Sequence, residues 1–161
     1  MDIFEFAMQM EKDGEQYYRE LAAASKVNGV KRIFTLLAEN EVEHYNVLKD
    51  LKENASPRLT GYTIVKDAKN IFTEMKENNE TMDLGGTGPD LYQKAVEIEK
   101  KSEAFYKEKA GEVGSEEAAK LLLQIAEEER RHAYFMENMV IFLSRPQTWV
   151  ENAEFNHLEE Y

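Results

Sequence analysis

The sequence predicts an all-α fold: four long helices bundled as two hairpins, with a long crossover containing a short helix between them and a C-terminal tail. Composition is the first observation behind this. Apolar residues make up 42% of the chain, only three of its 161 residues are proline, and the helix formers Ala, Leu, Glu and Lys are abundant. The second is apolar residues recurring at three- and four-residue steps through four long segments. The third is an internal repeat. Shifting the chain by 88 positions lays Ala7, Glu11, Glu15 and Tyr18 on Ala95, Glu99, Glu103 and Tyr106, and Ala38, Glu41 and His44 on Ala126, Glu129 and His132, without a gap.

The first helix spans about Asp2 to Ala24, with Phe4, Ala7, Met8, Glu11, Tyr18, Leu21 and Ala22 on one stripe, and Lys26-Val27-Asn28-Gly29 is its expected stop. The second runs from about Val30 to Glu53 and stacks Ile33, Phe34, Leu37, Glu41, His44, Tyr45, Leu48 and Leu51. The connection from Asn54 to Pro89 is far longer than bundle loops usually are. Its Ile64, Val65, Ala68, Ile71, Phe72 and Met75 form a short amphipathic stripe, as expected of a crossover that returns along the bundle. The third long helix covers about Asp90 to Ala110, with Tyr92, Ala95, Glu99, Ser102 and Tyr106 in line. Gly111 and Gly114 close it and Ser115 caps the fourth. That helix carries Ala118, Leu122, Ile125, Glu129, His132, Met136, Met139 and Leu143 to about Ser144, where Pro146 ends the pattern. Residues 1–145 thus form one domain built from two pseudo-repeats, about 2–53 and 90–144. Residues 146–161 form a tail, with Trp149, Val150, Phe155 and Leu158, that docks on the bundle or on a partner.

Each repeat contains a Glu-x-x-His, Glu41 to His44 and Glu129 to His132, a spacing that puts both side chains on one helix face a turn apart. Spacing alone decides little, since 26 residues are Glu and the tail's His157 also has a glutamate, Glu154, three positions before it. Position decides more. In an antiparallel hairpin, residues equidistant from the turn lie level. Glu11 and Glu41 are centred on residue 26, and Glu99 and Glu129 on residue 114, both in expected turns. Glu11, Glu41, His44, Glu99, Glu129 and His132 all lie on apolar stripes, so two hairpins packed face to face bring four carboxylates and two imidazoles into one layer. Burying unpaired carboxylates beside one another is costly, and divalent cations remove the cost. The pattern therefore predicts a dinuclear metal site. Oxygen-rich ligation with one nitrogen per metal suits iron or manganese and also accommodates zinc.

A formal charge of −12 argues against nucleic-acid and anionic-membrane partners. The absence of cysteine excludes disulfides, thiolate sites and iron–sulfur clusters within the chain. The acidic start, MDIFEFAMQMEKD, lacks the features of a signal peptide, and no apolar run reaches the ~20 residues needed to span a bilayer. A cytoplasmic protein is expected.

Through MEKDGEQYY, AENEVEHY, IEKKSEAFY and AEEERRH, the chain resembles the rubrerythrin branch of the ferritin-like superfamily over roughly residues 2 to 144. The resemblance implies a ferritin-like bundle in which Glu41 and Glu129 bridge two iron ions, Glu11 and Glu99 are terminal carboxylates, and His44 and His132 each give one nitrogen. It implies a peroxidase- or ferroxidase-type oxidoreductase that reduces hydrogen peroxide or dioxygen in oxidative-stress defence, and a homodimer. Two features depart from the family pattern. The cysteine-ligated rubredoxin-type donor domain of full-length rubrerythrins has no cysteines to build it, so the electron donor is expected to be an external protein. The position of the family's mobile glutamate is Ser102. Metal storage and hydroxylation of an organic substrate are the alternative functions. Tyr18 and Tyr106 are read either as core aromatics or as hydrogen-bond donors to ligand carboxylates across the bundle, as in similar family members. Glu15 and Glu103 are either helix-edge residues or extra carboxylates and proton relays near the site.

Overall fold

The computed structural model describes residues 2–54, 59, 64–78 and 89–143. They form five helices: α1 (Ile3–Ala24), α2 (Asn28–Lys52), α3 (Ile64–Glu77), α4 (Pro89–Ala110) and α5 (Glu116–Leu143). Asp2 caps α1 by accepting the Glu5 N–H at 2.8 Å. Ser115 Oγ accepts the Ala118 N–H at 3.3 Å at the start of α5, as its position predicts. Pro89 opens α4, where its fixed φ suits a first helical residue. Asn54, with φ 55°, takes the left-handed conformation just past α2.

The first turn is shorter than the sequence suggests. α1 stops at Ala24, with the Ser25 N–H bonded back to the carbonyls of Leu21 and Ala22, and Asn28 and Gly29 begin α2 instead of closing α1. Gly29 is there for space. A Cβ at this position would lie 2.4 Å from Met75 Sδ, so its hydrogen lets α3 settle on α2. Arg32 and Glu74 join the two helices at 2.5 Å on the exposed side, while Ala68, Ile71 and Met75 are buried. The tail, His157 included, lies outside the described residues.

α1 pairs with α2 and α4 with α5, and the two hairpins face one another. The interior divides into two apolar cores. One joins Tyr18, Leu21, Ile33, Phe34 and Leu37 to Tyr92, Val96, Phe135, Met136 and Met139. The other joins Ala7, Val47 and Leu48 to Tyr106, Leu121, Leu122 and Ile125. Reading each helix from one core to the other passes Glu11 on α1, Glu41 and His44 on α2, Glu99 on α4, and Glu129 and His132 on α5. The two hairpin turns lie at opposite ends, so α2 and α4 run in the same direction. A chain leaving α2 must therefore travel back along the bundle before α4 can start, and α3 lies on that return.

Candidate metal centre

Among the described residues, burial separates these six from the other glutamates of an acidic protein: Glu11, Glu41, His44, Glu99, Glu129 and His132 are each 0–3% exposed. The levels set by the two turns bring them together. His44 Nδ1 lies 3.0 Å from Glu129 Oε1 and 3.6 Å from Glu11 Oε2. His132 Nδ1 lies 3.2 Å from Glu41 Oε1, 3.4 Å from Glu99 Oε1 and 3.7 Å from Glu129 Oε1. Two groups of four result, Glu11/Glu41/His44/Glu129 and Glu41/Glu99/Glu129/His132, each with its ligand-type atoms within 4.8 Å of one another. Glu41 and Glu129 belong to both.

Among the described residues, the buried side-chain oxygens and nitrogens without a hydrogen-bond partner are Glu11 Oε2, Glu41 Oε1, His44 Nδ1, Glu99 Oε2, Glu129 Oε1 and His132 Nδ1. Each residue of the cluster contributes one. Leaving such an atom dry and unpaired costs about 1–3 kcal/mol, more when it is charged. Six of them around one space is the arrangement that cations satisfy, so the residues present fit a two-metal centre. The pattern of the family described as Rubrerythrin matches residues 2–140. The chain belongs to the rubrerythrin family. Neither a curated protein nor a solved structure matches it.

In this rubrerythrin-family bundle Glu99 and Glu11 are also held by tyrosines from across the bundle. Tyr18 donates its hydroxyl hydrogen to Glu99 Oε1, and Tyr106 donates to Glu11 Oε1 at 2.5 Å, each reaching from one hairpin to the other. The polar outer edge of each histidine is occupied as well. His44 Nε2 meets Glu128 Oε1 at 3.2 Å, and His132 Nε2 meets Asn40 Oδ1 at 2.7 Å. Asn40 Nδ2 donates to Glu128 Oε1 at 3.2 Å. Glu128 can only accept, which turns the Asn40 amide nitrogen toward it and leaves the carbonyl oxygen for His132. Both histidines then donate through Nε2 and keep Nδ1 free for the centre.

Proton affinities fit the same reading. Burial, together with the charges of Glu11, Glu129 and Glu99, holds the Glu41 carboxyl well above the usual carboxylate range. Burial and the charges of Glu99 and Glu11 do the same to Glu129. For His44, burial favours the neutral ring, but Glu11, Glu128 and Glu129 outweigh it and raise its affinity for a proton. Glu11 is shifted the other way: burial opposes its charge, while Glu41, His44 and Tyr106 stabilise it. In the metal-free cluster these shifts favour protons on Glu41, Glu129 and His44, which lessen the repulsion between atoms so close together. A cation binding here displaces them.

The structure does not bring Glu15 and Glu103 into this cluster. Glu15 pairs with Arg19 one turn on at 2.7 Å, and Glu103 with Lys107. Four residues from the early glutamates, they have rotated to the helix edge, where next-turn cations reach them more easily than the core does. Met136 and Met139 are core residues with no exposure. Sequence reasoning passed over Asn40 and Glu128, yet a signal was present: they occupy equivalent positions of the repeat, each just before the glutamate of a Glu-x-x-His.

Proposed function

We propose that the chain is a di-iron oxidoreductase of rubrerythrin type, with Glu41 and Glu129 shared between the metals, Glu11 and His44 completing one position, and Glu99 and His132 the other. What supports this most is the single buried unpaired atom on each of the six residues, in a layer closed by apolar cores above and below. With two Fe(II) bound, the centre supplies two electrons, which with two protons convert hydrogen peroxide to two waters; dioxygen is the other candidate oxidant. The chain's own residues hold the charges in place. Tyr18 and Tyr106 each fix one oxygen of Glu99 and Glu11, so these carboxylates have one oxygen anchored and one without a hydrogen-bond partner. Gly14, beside Glu41, corresponds in the repeat to Ser102, and both are buried. A Cβ on Gly14 would stand 3.3 Å from Glu41 Oε2. So close an approach leaves little room beside that carboxylate, which favours a small oxidant over an organic substrate.

An external electron-donor protein is part of the proposal, supported by the lack of cysteine in these 161 residues, as are a homodimer and a cytoplasmic setting. Among the described residues no helix is long and apolar enough to cross a membrane. Loading the apoprotein with two Fe(II) per chain and mixing anaerobically with peroxide tests the redox reading. The expected result is a rapid rise in near-ultraviolet absorption as iron is oxidised. A chain that binds two Fe(II) and stays silent is a metal-binding protein without this activity. A chain that binds none removes the centre itself.

A further inference from the structure

The two candidate metal positions have matching ligands but differ one residue further out. On the His44 side the ring N–H faces the carboxylate of Glu128, whose side chain is only 12% exposed. On the His132 side it faces the carboxamide of Asn40, which is 4% exposed. Asn40 also donates to Glu128, so one hydrogen-bonded path runs from His132 through Asn40 and Glu128 to His44, with its single negative charge at the His44 end. The two rings stack nearly parallel, 19° apart with centroids 6.1 Å from one another, so the contrast does not come from differently oriented imidazoles.

An ionised carboxylate accepting from the outer nitrogen of an imidazole pulls on that hydrogen and leaves more electron density on the inner nitrogen. A neutral amide does this less. Glu128 also places a negative charge nearer to one metal position than to the other, in surroundings where charges are weakly screened.

We infer that Glu128 and Asn40 make the two positions unequal, so that the first divalent cation to bind enters the Glu11/Glu41/His44/Glu129 position. Glu128 is a positioning residue that strengthens His44 as a ligand, and Asn40 sets the weaker counterpart and aligns Glu128. This rests on the two-metal reading above. Partners of this kind around metal-bound histidines typically change affinity by about 10–100-fold, which sets the scale of the preference.

The test uses the full chain, stripped of metal and given one equivalent of Zn(II), a cation that does no redox chemistry. Anomalous diffraction then reads the occupancy of each position. Wild type is expected to fill the His44 position in about tenfold excess or more. Glu128→Gln, nearly the same shape without the charge, should bring the two occupancies close together. The exchange Asn40→Glu with Glu128→Asn should move the excess to the His132 position while leaving the total binding capacity at two. Equal occupancy in wild type overturns the inference, and so does a preference that neither variant alters. Failure of wild type to bind Zn(II) at all would instead strike the two-metal centre, and is seen separately in the total metal bound. A merely structural role for Glu128 would lower both occupancies together and leave their ratio unchanged, which also counts against it.

Discussion

Superposed by the 88-residue shift, the two hairpins agree at all six cluster residues and at the two tyrosines hydrogen-bonded to them, and diverge at several positions around them. Glu11, Tyr18, Ala38, Glu41 and His44 find their identical counterparts in Glu99, Tyr106, Ala126, Glu129 and His132. The cross-bundle hydrogen bonds obey the same exchange: Tyr18 to Glu99 is matched by Tyr106 to Glu11, and His44 to residue 128 by His132 to residue 40. Around the layer several pairs differ. Gly14 answers to Ser102, Asn40 to Glu128, and Gly29, pressed under α3, to Glu117, which faces solvent. The six cluster residues and the two tyrosines thus keep the repeat, while positions such as Gly29 answer to what each half packs against.

The sharpest way to break this symmetry is through Glu41 and Glu129, the two carboxylates common to both groups of four. Glu41→Ala or Glu129→Ala is expected to abolish binding at both positions, whereas Glu11→Ala or Glu99→Ala should leave about one of two ions bound. Metal analysis of the purified variants distinguishes the two classes, because a shared ligand serves both cations and a terminal one serves only its own. Equal losses in all four variants would remove the distinction between shared and terminal residues.

A second contrast uses the two ends of the repeat that differ most in burial. Gly29→Leu forces a side chain into the space of Met75 and should destabilise the fold by about 1–3 kcal/mol, measured by urea unfolding. Glu117→Leu, at the equivalent exposed position, should stay within about 0.5 kcal/mol of wild type. Similar costs at both sites would mean that α3 does not need the glycine.

The third expectation concerns pH. Glu41 and Glu129 are raised above the ordinary 4.5, and His44 above the ordinary 6.5. Groups raised in the folded state bind protons more tightly there than in the unfolded chain. Their stabilisation is complete below the ordinary values and is lost as pH rises through the folded ones. Glu11, which is lowered, acts oppositely, and its contribution fades only in acid below 4.5. The metal-free protein should therefore melt at progressively lower temperature as pH rises from mildly acidic to alkaline, while the metal-loaded protein should not. A melting temperature of the apoprotein that climbs over the same range would show that the cluster is not protonated as described.

The smallest effect sharpens the symmetry rather than breaking it. Tyr18→Phe and Tyr106→Phe each remove one hydrogen bond to a carboxylate in equivalent places, and each should cost about 1 kcal/mol or somewhat more. The two losses should be nearly equal by thermal unfolding. A clear inequality would mean that Glu11 and Glu99 are not equivalently held.

Much of this was legible in the sequence, because the repeat and the level rule act together. Once Glu11 and Glu41 are centred on one turn and Glu99 and Glu129 on another, the hairpin geometry leaves little choice about where the six residues meet. Positions off the stripe were less legible. Glu15 and Glu103 have the composition of ligands, but their place on the helix puts Arg19 and Lys107 closer than the core. Asn28 and Gly29 have the composition of a helix stop, yet Gly29 serves α3, which is distant in sequence, and local propensity does not see that demand. Asn40 and Glu128 were hidden among ordinary polar residues because their importance depends on which histidine lies across the bundle, a fact of packing rather than of spacing.

The crossover that carries α3 has an effect beyond spanning a distance. Two separate copies of one hairpin, associating about a twofold axis, would have to present the same residue on both sides of the axis. Any change favouring one half would be imposed on the other. Tying the halves into a single polypeptide lifts that obligation, so Asn40 can stand opposite Glu128 and Gly29 opposite Glu117. Individuality between the halves is a freedom that only a covalent tether grants.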